Sequence, residues 1–216
     1  MKDSSKALIL IDLQNDFFPG AALGVPFGEA LIPIANRLQE YFSLIIATKD
    51  WHPVEHKSFA ANHPGKKVYD LIDLQGLSQV LWPIHCVQNS WGAEFHPKLK
   101  IDKINKIIYK GTDINIDSYS GFFDNAHRND TGLDAFLKSQ AVKEVYIMGL
   151  ATDYCVQYSV IDAAKLGYKT FLIEDGCCGI EKTPGDIEKS KQNMLAAGAS
   201  IISITDIINR LKADGL

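Results

Sequence analysis

The sequence predicts an α/β fold, with three layers (α/β/α) around a central, mainly parallel sheet of about six strands. Short β-rich runs indicate the strands, at residues 7–13, 44–48, 104–109, 142–150, 169–174 and 200–204. Segments with the helical spacing of apolar residues lie between most of these runs, at 29–42, 131–139, 152–166 and 186–197. Because the β-rich runs are apolar on both faces, they fit parallel strands buried between two layers of helices. The pattern is Rossmann-like.

Length and composition favour a single domain over residues 1–216 that acts on a small molecule. Of the 216 residues, 46% are hydrophobic and 22% are charged, and no internal repeat or linker-like stretch divides the chain. A net charge of -4 without a long basic run gives no electrostatic reason to bind nucleic acid or an anionic membrane. A homo-oligomer is compatible with this composition.

Compartment and redox state follow from the first apolar run and from the cysteines. The first run is too short for a signal core or a membrane span, so we expect a cytoplasmic protein. Two of the four cysteines, Cys177 and Cys178, are adjacent, which makes a disulfide between them awkward. We therefore expect reduced thiols.

The first strand ends on a candidate catalytic group. In the run from 7 to 13 every residue is apolar except Asp12. Sites in open α/β sheets form beyond the carboxyl ends of the strands, so Asp12 is expected at the site. The helix at 29–42 then leads to the second strand.

The region from 49 to 103 is rich in Pro, His, Gly and Trp and has little periodicity, and loops of that length are usually functional. Asp50 and His52 are two residues apart, so on an extended chain they project to the same side. His56 and His85 follow. One such His could simply lie on a polar loop, but an Asp with two or three His suits a divalent zinc, iron(II) or manganese ion.

The next two strands bring a cation and a thiol. The strand at 104–109 is followed by Lys110, and the strand at 142–150 leads into Cys155. Helical spacing resumes just after the thiol, so we expect Cys155 in the first turn of a helix. Backbone N–H groups and the helix dipole would stabilise a thiolate there, which predicts a lowered pKa for Cys155. Gly167 and Gly198 then end helices ahead of the last two strands.

A carboxylate, an ammonium group and a thiol thus meet at one edge of the predicted sheet. Taken singly, Asp12 could cap a turn, Lys110 could be a solvated strand end and Cys155 could be a core residue. Together they fit nucleophilic catalysis, in which Asp12 serves as base and later as acid while Lys110 orients Asp12 and favours the Cys155 anion. The backbone N–H groups of Ala151 and Cys155 could form the oxyanion hole.

Motifs along most of the chain match a known family. They are Ile11-Asp-Leu-Gln-Asn-Asp-Phe17, Lys49-Asp-Trp-His-Pro53, Ser58-Phe-Ala60, Trp82-Pro-Ile-His-Cys-Val87, Gly92-Ala-Glu-Phe-His-Pro97, Lys110-Gly111, Asp117-Ser-Tyr-Ser-Gly-Phe122 and Gly149-Leu-Ala-Thr-Asp-Tyr-Cys-Val156. With these motifs the sequence strongly resembles the nicotinamidases of the isochorismatase-like cysteine hydrolases. Asp12, Lys110 and the cysteine turn are shared across that superfamily, whereas Asp-Trp-His-Pro and Trp-Pro-x-His-Cys are much more specific to nicotinamidases.

The resemblance implies hydrolysis of nicotinamide to nicotinate and ammonia, in pyridine nucleotide (NAD) salvage. It also implies one divalent metal ion that contacts the pyridine nitrogen, with zinc as the first choice and iron or manganese as alternatives. Asp50, His52 and His85 are the implied ligands, and His56 stands at the fourth matching place.

The resemblance also implies a substrate pocket. Its aromatic wall would consist of Phe17 and Trp82, with Tyr119 beside them. The peptide bond before Ala151 is expected to be cis. Tyr154 stands where the family often has His, a difference that bears on affinity and not on the chemistry above.

Two other functions stay open from the residues alone. The same fold and triad could act on the vinyl ether of isochorismate or on another amide or carbamoyl compound, although such a pocket has little need for a metal cluster. A nucleotide-binding or redox module is the other, but no G-x-G-x-x-G or P-loop motif occurs and the adjacent cysteines do not form C-x-x-C.

Overall fold

A computed structural model describes residues 3–213 and has a six-stranded parallel sheet at its centre. The strands are β1 (Lys6–Ile11), β2 (Leu44–Asp50), β3 (Leu71–Leu74), β4 (Leu77–Val80), β5 (Lys106–Lys110), β6 (Glu144–Leu150), β7 (Lys169–Cys178) and β8 (Ser200–Ile202). The central sheet has the order β5-β2-β1-β6-β7-β8, and each neighbouring pair is parallel. Of the domain predicted over 1–216, residues 1–2 and 214–216 lie outside the described residues.

Helices cover both faces of this sheet. They are α1 (Leu31–Leu38), α2 (Leu133–Ser139), α3 (Gln157–Lys165), α4 (Asp186–Ala196) and α5 (Ile204–Ala213). Alternate residues of β1 point to opposite faces, so Leu8 and Leu10 share a core with α1 and α5, whereas Ile9 and Ile11 share one with α2, α3 and α4. The predicted three-layer fold is therefore confirmed. Within residues 3–213, no helix is long and apolar enough to cross a membrane.

The order of the strands places the candidate residues. The chain adds β2 and β5 on one side of β1 and then β6, β7 and β8 on the other, so the strand order reverses at β1. In open α/β sheets, ligands bind in the crevice outside the strand ends at such a point. Asp12 follows β1, the turn with Cys155 follows β6, and β5 ends on Lys110.

Several elements differ from the prediction. The long loop at 49–103 contains an antiparallel hairpin of β3 and β4, which is short and mostly exposed and so lacks a clear apolar pattern. The helix expected over 29–42 is confined to Leu31–Leu38. The last strand ends at Ile202, and α5 begins almost at once. Apolar residues continue from that strand into the helix, so their pattern does not mark the boundary.

Candidate active site

The ammonium group of Lys110 lies at the centre of a buried charged group beyond the strand ends. Lys110 is 1% exposed, and its Nζ lies 2.8 Å from Oδ2 of Asp12 and 3.3 Å from Sγ of Cys155. It also donates hydrogen bonds to Oδ1 of Asp50 and, at 3.1 Å, to the carbonyl of Ser118. One cation thus joins the end of the edge strand β5 to the ends of β1, β2 and β6.

Asp12 is held at the end of β1 by the neighbouring strand. Its φ of 49° lies in the left-handed region, which Asp tolerates better than most residues. The hydroxyl of Thr48 in β2 accepts from the Asp12 N–H at 3.1 Å and donates to Asp12 Oδ1 at 2.5 Å. The second oxygen, Oδ2, has the ion pair with Lys110, and the Asp12 carboxyl also interacts with the thiol of Cys155. A carboxylate oxygen in such a pair keeps a lone pair that can take a proton.

Cys155 lies in the first helical turn after β6, where the sequence predicts it, but this turn is not α-helical. It is a π-helical turn, Thr152–Val156, that precedes α3. The carbonyl of Ala151 accepts from the N–H groups of both Tyr154 and Val156, at 3.0 and 3.1 Å, and this widens the turn. The peptide bond between Leu150 and Ala151 is cis, as the resemblance implied.

The protonation of the thiol also differs from the expectation. Burial raises the pKa of Cys155 well above its ordinary value; the charge of Lys110 opposes this, and the charges of Asp12 and Asp50 add to it. The chain therefore favours a neutral thiol at rest, and a base is needed to ionise it. Burial likewise raises the pKa of Asp12, although Lys110 opposes the shift. For Lys110, burial lowers the pKa, but its anionic neighbours outweigh burial and hold it well above its usual range.

Asp50 and two histidines form a group with the geometry of a metal site. The candidate ligand atoms of Asp50, His52 and His85 lie within 4.8 Å of one another, and all three side chains are buried. Nδ1 of His52 is bonded to the carbonyl of Gly111 at 2.8 Å, and Nδ1 of His85 to that of Pro83 at 2.8 Å. Nδ1 of each ring therefore carries a proton, and Nε2, the atom that can bind a metal, faces Asp50.

The distances agree with this arrangement. Nε2 of His52 lies 3.5 Å and Nε2 of His85 lies 3.7 Å from Oδ2 of Asp50. Burial opposes ionisation of Asp50, but Lys110 and His52 hold its pKa well below its usual range. Burial lowers the pKa of His52, but the charge of Asp50 outweighs burial and raises it. A carboxylate with two imidazole Nε2 atoms close by suits a divalent ion such as zinc.

Contacts from outside the group hold these ligands in place. The side chain of Gln14 donates to the carbonyl of Asp50 at 2.7 Å and accepts from its N–H at 2.8 Å. The backbone of Gly111 has a φ of +64°, and a Cβ there would lie 2.3 Å from Cε1 of His52. Next to His85, the N–H of Cys86 donates to Oδ2 of Asp16 at 2.7 Å.

His56, at the fourth matching place, is not in this group. Its ring centroid lies 4.4 Å from that of His52, and with His52 and Asp117 it forms a second set of close donor atoms. Nδ1 of His56 accepts from the N–H of Ser58 at 3.2 Å, so its proton is on Nε2, 3.3 Å from the carbonyl of Ile116. Burial and the neighbouring His52 lower the pKa of His56 to about 4. Its role as a ligand stays a prediction.

A narrow cavity extends from the thiol of Cys155 to Asp50 and His85 of the candidate metal site. It is lined by Phe17, Leu23, Asp50, Trp82, His85, Asp117, Tyr119, Ala151, Tyr154, Cys155 and Ile180. The three predicted wall residues are among them. Edge-to-face contacts order the wall, with ring centroids 4.7 Å apart for Trp82 and Tyr154 and 5.6 Å apart for Tyr119 and Tyr154.

Sequence reasoning missed several residues of this site. For Gln14 and Asp117 the sequence predicts no role beyond membership of a motif. Ile180 and Leu23 come from segments with no motif at all. Gln14 and Asp117 could have been found as polar residues inside the motifs that flank Asp12 and Tyr119. Ile180 and Leu23 carry no such signal, because only the fold brings their segments to the cavity.

Comparison with known proteins agrees with the resemblance. The Isochorismatase domain family matches residues 6–206. A nicotinamidase of Escherichia coli is 47% identical over 205 residues, which cover 93% of this chain and 96% of that protein.

Two solved structures are similar as well. A nicotinamidase and pyrazinamidase of Acinetobacter baumannii has a TM-score of 0.93 and 44% identity, covering 96% of this chain and 100% of its own. A pyrazinamidase of Pyrococcus horikoshii in complex with zinc has a TM-score of 0.76 and 39% identity, covering 93% of this chain and 99% of its own.

Proposed function

The chain belongs to the isochorismatase family, and from this premise we propose that it hydrolyses nicotinamide to nicotinate and ammonia, a step of NAD salvage. One observation carries the proposal: Asp50 and His85 line the same cavity as Cys155. A heteroaromatic amide has two matching ends. Its ring nitrogen suits a metal ion held by Asp50 and the two histidines, and its carboxamide suits the thiol of Cys155.

The proposed cofactor is one zinc ion held by Asp50, His52 and His85. The donor set fits it, because both imidazoles turn Nε2 toward the Asp50 carboxylate. When bound, the ion supplies a Lewis-acidic contact for the ring nitrogen and so orients the substrate. The zinc-bound pyrazinamidase structure supports this choice of metal.

In the proposed reaction, Asp12 first takes the proton of the Cys155 thiol. The closeness of Asp12 to the thiol and its raised pKa suit this step, because the carboxyl can accept the proton and give it back. The thiolate then attacks the carboxamide carbon and forms a tetrahedral intermediate. Lys110 contacts both Asp12 and Cys155 and offsets the negative charge that moves between them.

The remaining steps release the two products. The oxyanion of the intermediate accepts hydrogen bonds from the backbone N–H groups of Ala151 and Cys155. Asp12 returns its proton to the amide nitrogen, the C–N bond breaks, and ammonia leaves behind a thioester. Water gives a proton to Asp12 and attacks the thioester; the proton returns to sulfur as nicotinate departs.

Ammonia release from a panel of amides tests the function. We expect nicotinamide and pyrazinamide to be hydrolysed and benzamide, which lacks the ring nitrogen, to be hydrolysed far more slowly. Equal kcat/KM for benzamide and nicotinamide would mean that the ring nitrogen is not recognised. Hydrolysis of a carbamoyl compound in preference to all three would favour another member of the family.

Metal removal tests the cofactor separately. After treatment with a chelator, nicotinamide hydrolysis should fall with the bound metal and return when zinc is added. Full activity in metal-free protein would contradict the metal site and leave the cysteine chemistry standing.

A further inference from the structure

The hairpin of β3 and β4 contributes a buried amide to the edge of the cavity. Gln79 in β4 is 3% exposed, whereas its neighbour Ser78 is exposed. Nε2 of Gln79 donates to the phenol oxygen of Tyr119 at 3.1 Å and to Oδ2 of Asp117 at 3.0 Å. Both acceptors belong to residues that line the cavity. A side chain that lies outside the cavity is thereby bonded to two parts of its wall.

The surrounding groups dictate the orientation of this amide. Oδ2 of Asp117 and the carbonyl of Val80, 2.8 Å away, both accept from the Gln79 NH₂ group. On the other side, Oε1 of Gln79 faces Nδ2 of Asn125 at 3.5 Å. Oδ1 of Asn125 accepts from the backbone N–H of Tyr119 at 2.9 Å. The hydrogen bonds therefore close a ring that holds Tyr119 at both its backbone and its hydroxyl.

Trp82 holds the same hydroxyl from another direction. Its Nε1 donates to the phenol oxygen of Tyr119 at 3.1 Å, with the two rings edge to face and their centroids 6.3 Å apart. The two N–H bonds of Gln79 are shared among three acceptors, and the Tyr119 oxygen accepts from Gln79 and from Trp82. Without Gln79, one of these two hydrogen bonds to the Tyr119 oxygen is lost, and the position of the ring is less strictly fixed.

We propose that Gln79 is a positioning residue for the substrate, because it fixes the Tyr119 ring at the edge of the cavity through the phenol oxygen. The assignment rests on the proposed function, in which a planar pyridine ring lies against this wall. Gln79 is not among the residues that line the cavity, so it acts through Tyr119. Its loss should weaken substrate binding more than it slows the chemical steps.

Steady-state kinetics of the full-length, zinc-loaded protein test this. Gln79→Met keeps a side chain of similar length and removes the donor. We expect it to raise KM for nicotinamide by about 10-fold, the effect of one lost hydrogen bond, with kcat changed less than about 3-fold. Ser78→Ala, on the exposed face of the same strand, should leave both constants unchanged. A fall in kcat with no change in KM would overturn the proposal.

A double-mutant cycle separates positioning from general loss of stability. Tyr119→Phe removes the acceptor, so it should raise KM by itself, and adding Gln79→Met should raise it less than about 2-fold further. Independent, multiplicative effects of the two changes would overturn the proposal. If Gln79→Met does not fold, Tyr119→Phe decides alone, and an unchanged KM in that variant would contradict the assignment.

A spectroscopic readout keeps the positioning role apart from the proposed function. The readout is the NMR signal of the indole N–H groups. The chain has three tryptophans, and the signal of Trp82 can be assigned from its loss in Trp82→Phe. Because Trp82 and Gln79 share one acceptor, Gln79→Met should shift this signal and Ser78→Ala should not. If the unaltered protein fails to hydrolyse nicotinamide, the function is wrong and the indole signal still decides whether Gln79 holds Tyr119. An unmoved signal would overturn the role of Gln79 even in an active enzyme.

Discussion

Two regions meet in this site and are built in different ways. The first, the strand-end triad, consists of Asp12, Lys110 and Cys155, each carried to the crevice by a strand of the central sheet. The second, the metal-type group, consists of Asp50, His52 and His85, of which the two histidines lie in the long loop region. The sheet alone brings the triad together. The loop region needs hydrogen bonds from elsewhere in the chain to hold its ligands.

Asp50 and Lys110 connect the two regions. They are paired neighbours in register at the ends of β2 and β5, and the Lys110 ammonium group contacts both carboxylates and the thiol. In the proposed reaction, bond breaking and substrate orientation therefore depend on separate groups of residues, which share the ion pair of Lys110 with Asp50. Changes at Asp12 or Cys155 should therefore stop the chemistry and spare the metal, whereas changes around the histidines should release the metal first.

The largest effect is expected for Cys155→Ala. Removal of the proposed nucleophile should lower nicotinamide hydrolysis by at least about 10,000-fold. Zinc bound per chain should stay at the level of the unaltered protein, because Cys155 is not part of the metal-type group. Ammonia release and metal analysis on the same sample measure both. Cys178→Ala, a half-buried thiol outside the triad, is the matched control and should keep full activity.

Asp12→Asn should have the next largest effect. The amide keeps the shape of the side chain but cannot take the thiol proton, so kcat should fall by about 100- to 10,000-fold. Asp162→Asn changes another buried carboxylate, on α3, and serves as the control. A loss of less than about 10-fold in Asp12→Asn would assign the base to another group.

Gly111→Ala should weaken metal binding, because it disturbs the site of Asp50, His52 and His85. Its Cβ would lie 2.3 Å from Cε1 of His52, so the ring must move and the zinc affinity should fall by about 10- to 100-fold. With saturating zinc, much of the activity should return, since the triad is unchanged. Gly65→Ala has the same backbone penalty, with a φ of +77° and no atom within 4 Å of the added carbon, and should bind zinc normally. Equal losses in both variants would show a backbone effect only.

The smallest expected effect is a shift in the reactivity of the thiol with pH. Only the thiolate is alkylated, and burial raises the pKa of Cys155. The alkylation rate should therefore rise at a higher pH than that of an ordinary thiol, which ionises near pH 8.5. Mass spectrometry of the alkylated, chelator-treated protein follows this residue alone. A rise in the rate well below pH 8 would contradict this and support the lowered pKa that the position of Cys155 at the start of a helix predicts.

Much of the fold could be predicted from the sequence. Strands apolar on both faces can be buried only between two layers, so the runs around Ile9 and Ile147 were enough to predict a parallel sheet with helices on each side. The hairpin of β3 and β4 and the helix after β8 were not predicted. One has too little buried apolar surface to give a pattern, and the other begins where an apolar strand has only just ended.

The candidate site divides in the same way. Asp12, Lys110 and Cys155 could be proposed from strand ends alone, and Asp50 and His52 from their spacing. Gln79 could not, since an isolated glutamine has no periodicity and its partners Asp117 and Tyr119 are 38 and 40 residues away. The π-helical turn at Cys155 was also out of reach, because it depends on the carbonyl of Ala151 and not on the spacing of side chains.

The sequence by itself determined the layers, the strand ends and the types of reactive group, because these follow from local patterns of apolar and polar residues. Only the tertiary structure decided which atoms face one another. It turned Nε2 of both histidines toward Asp50, placed Lys110 between the carboxylates of Asp12 and Asp50, and buried the thiol of Cys155. Hydrogen-bond geometry and burial depend on atoms far apart in the chain, and their effect on pKa and orientation exists only once the chain has folded.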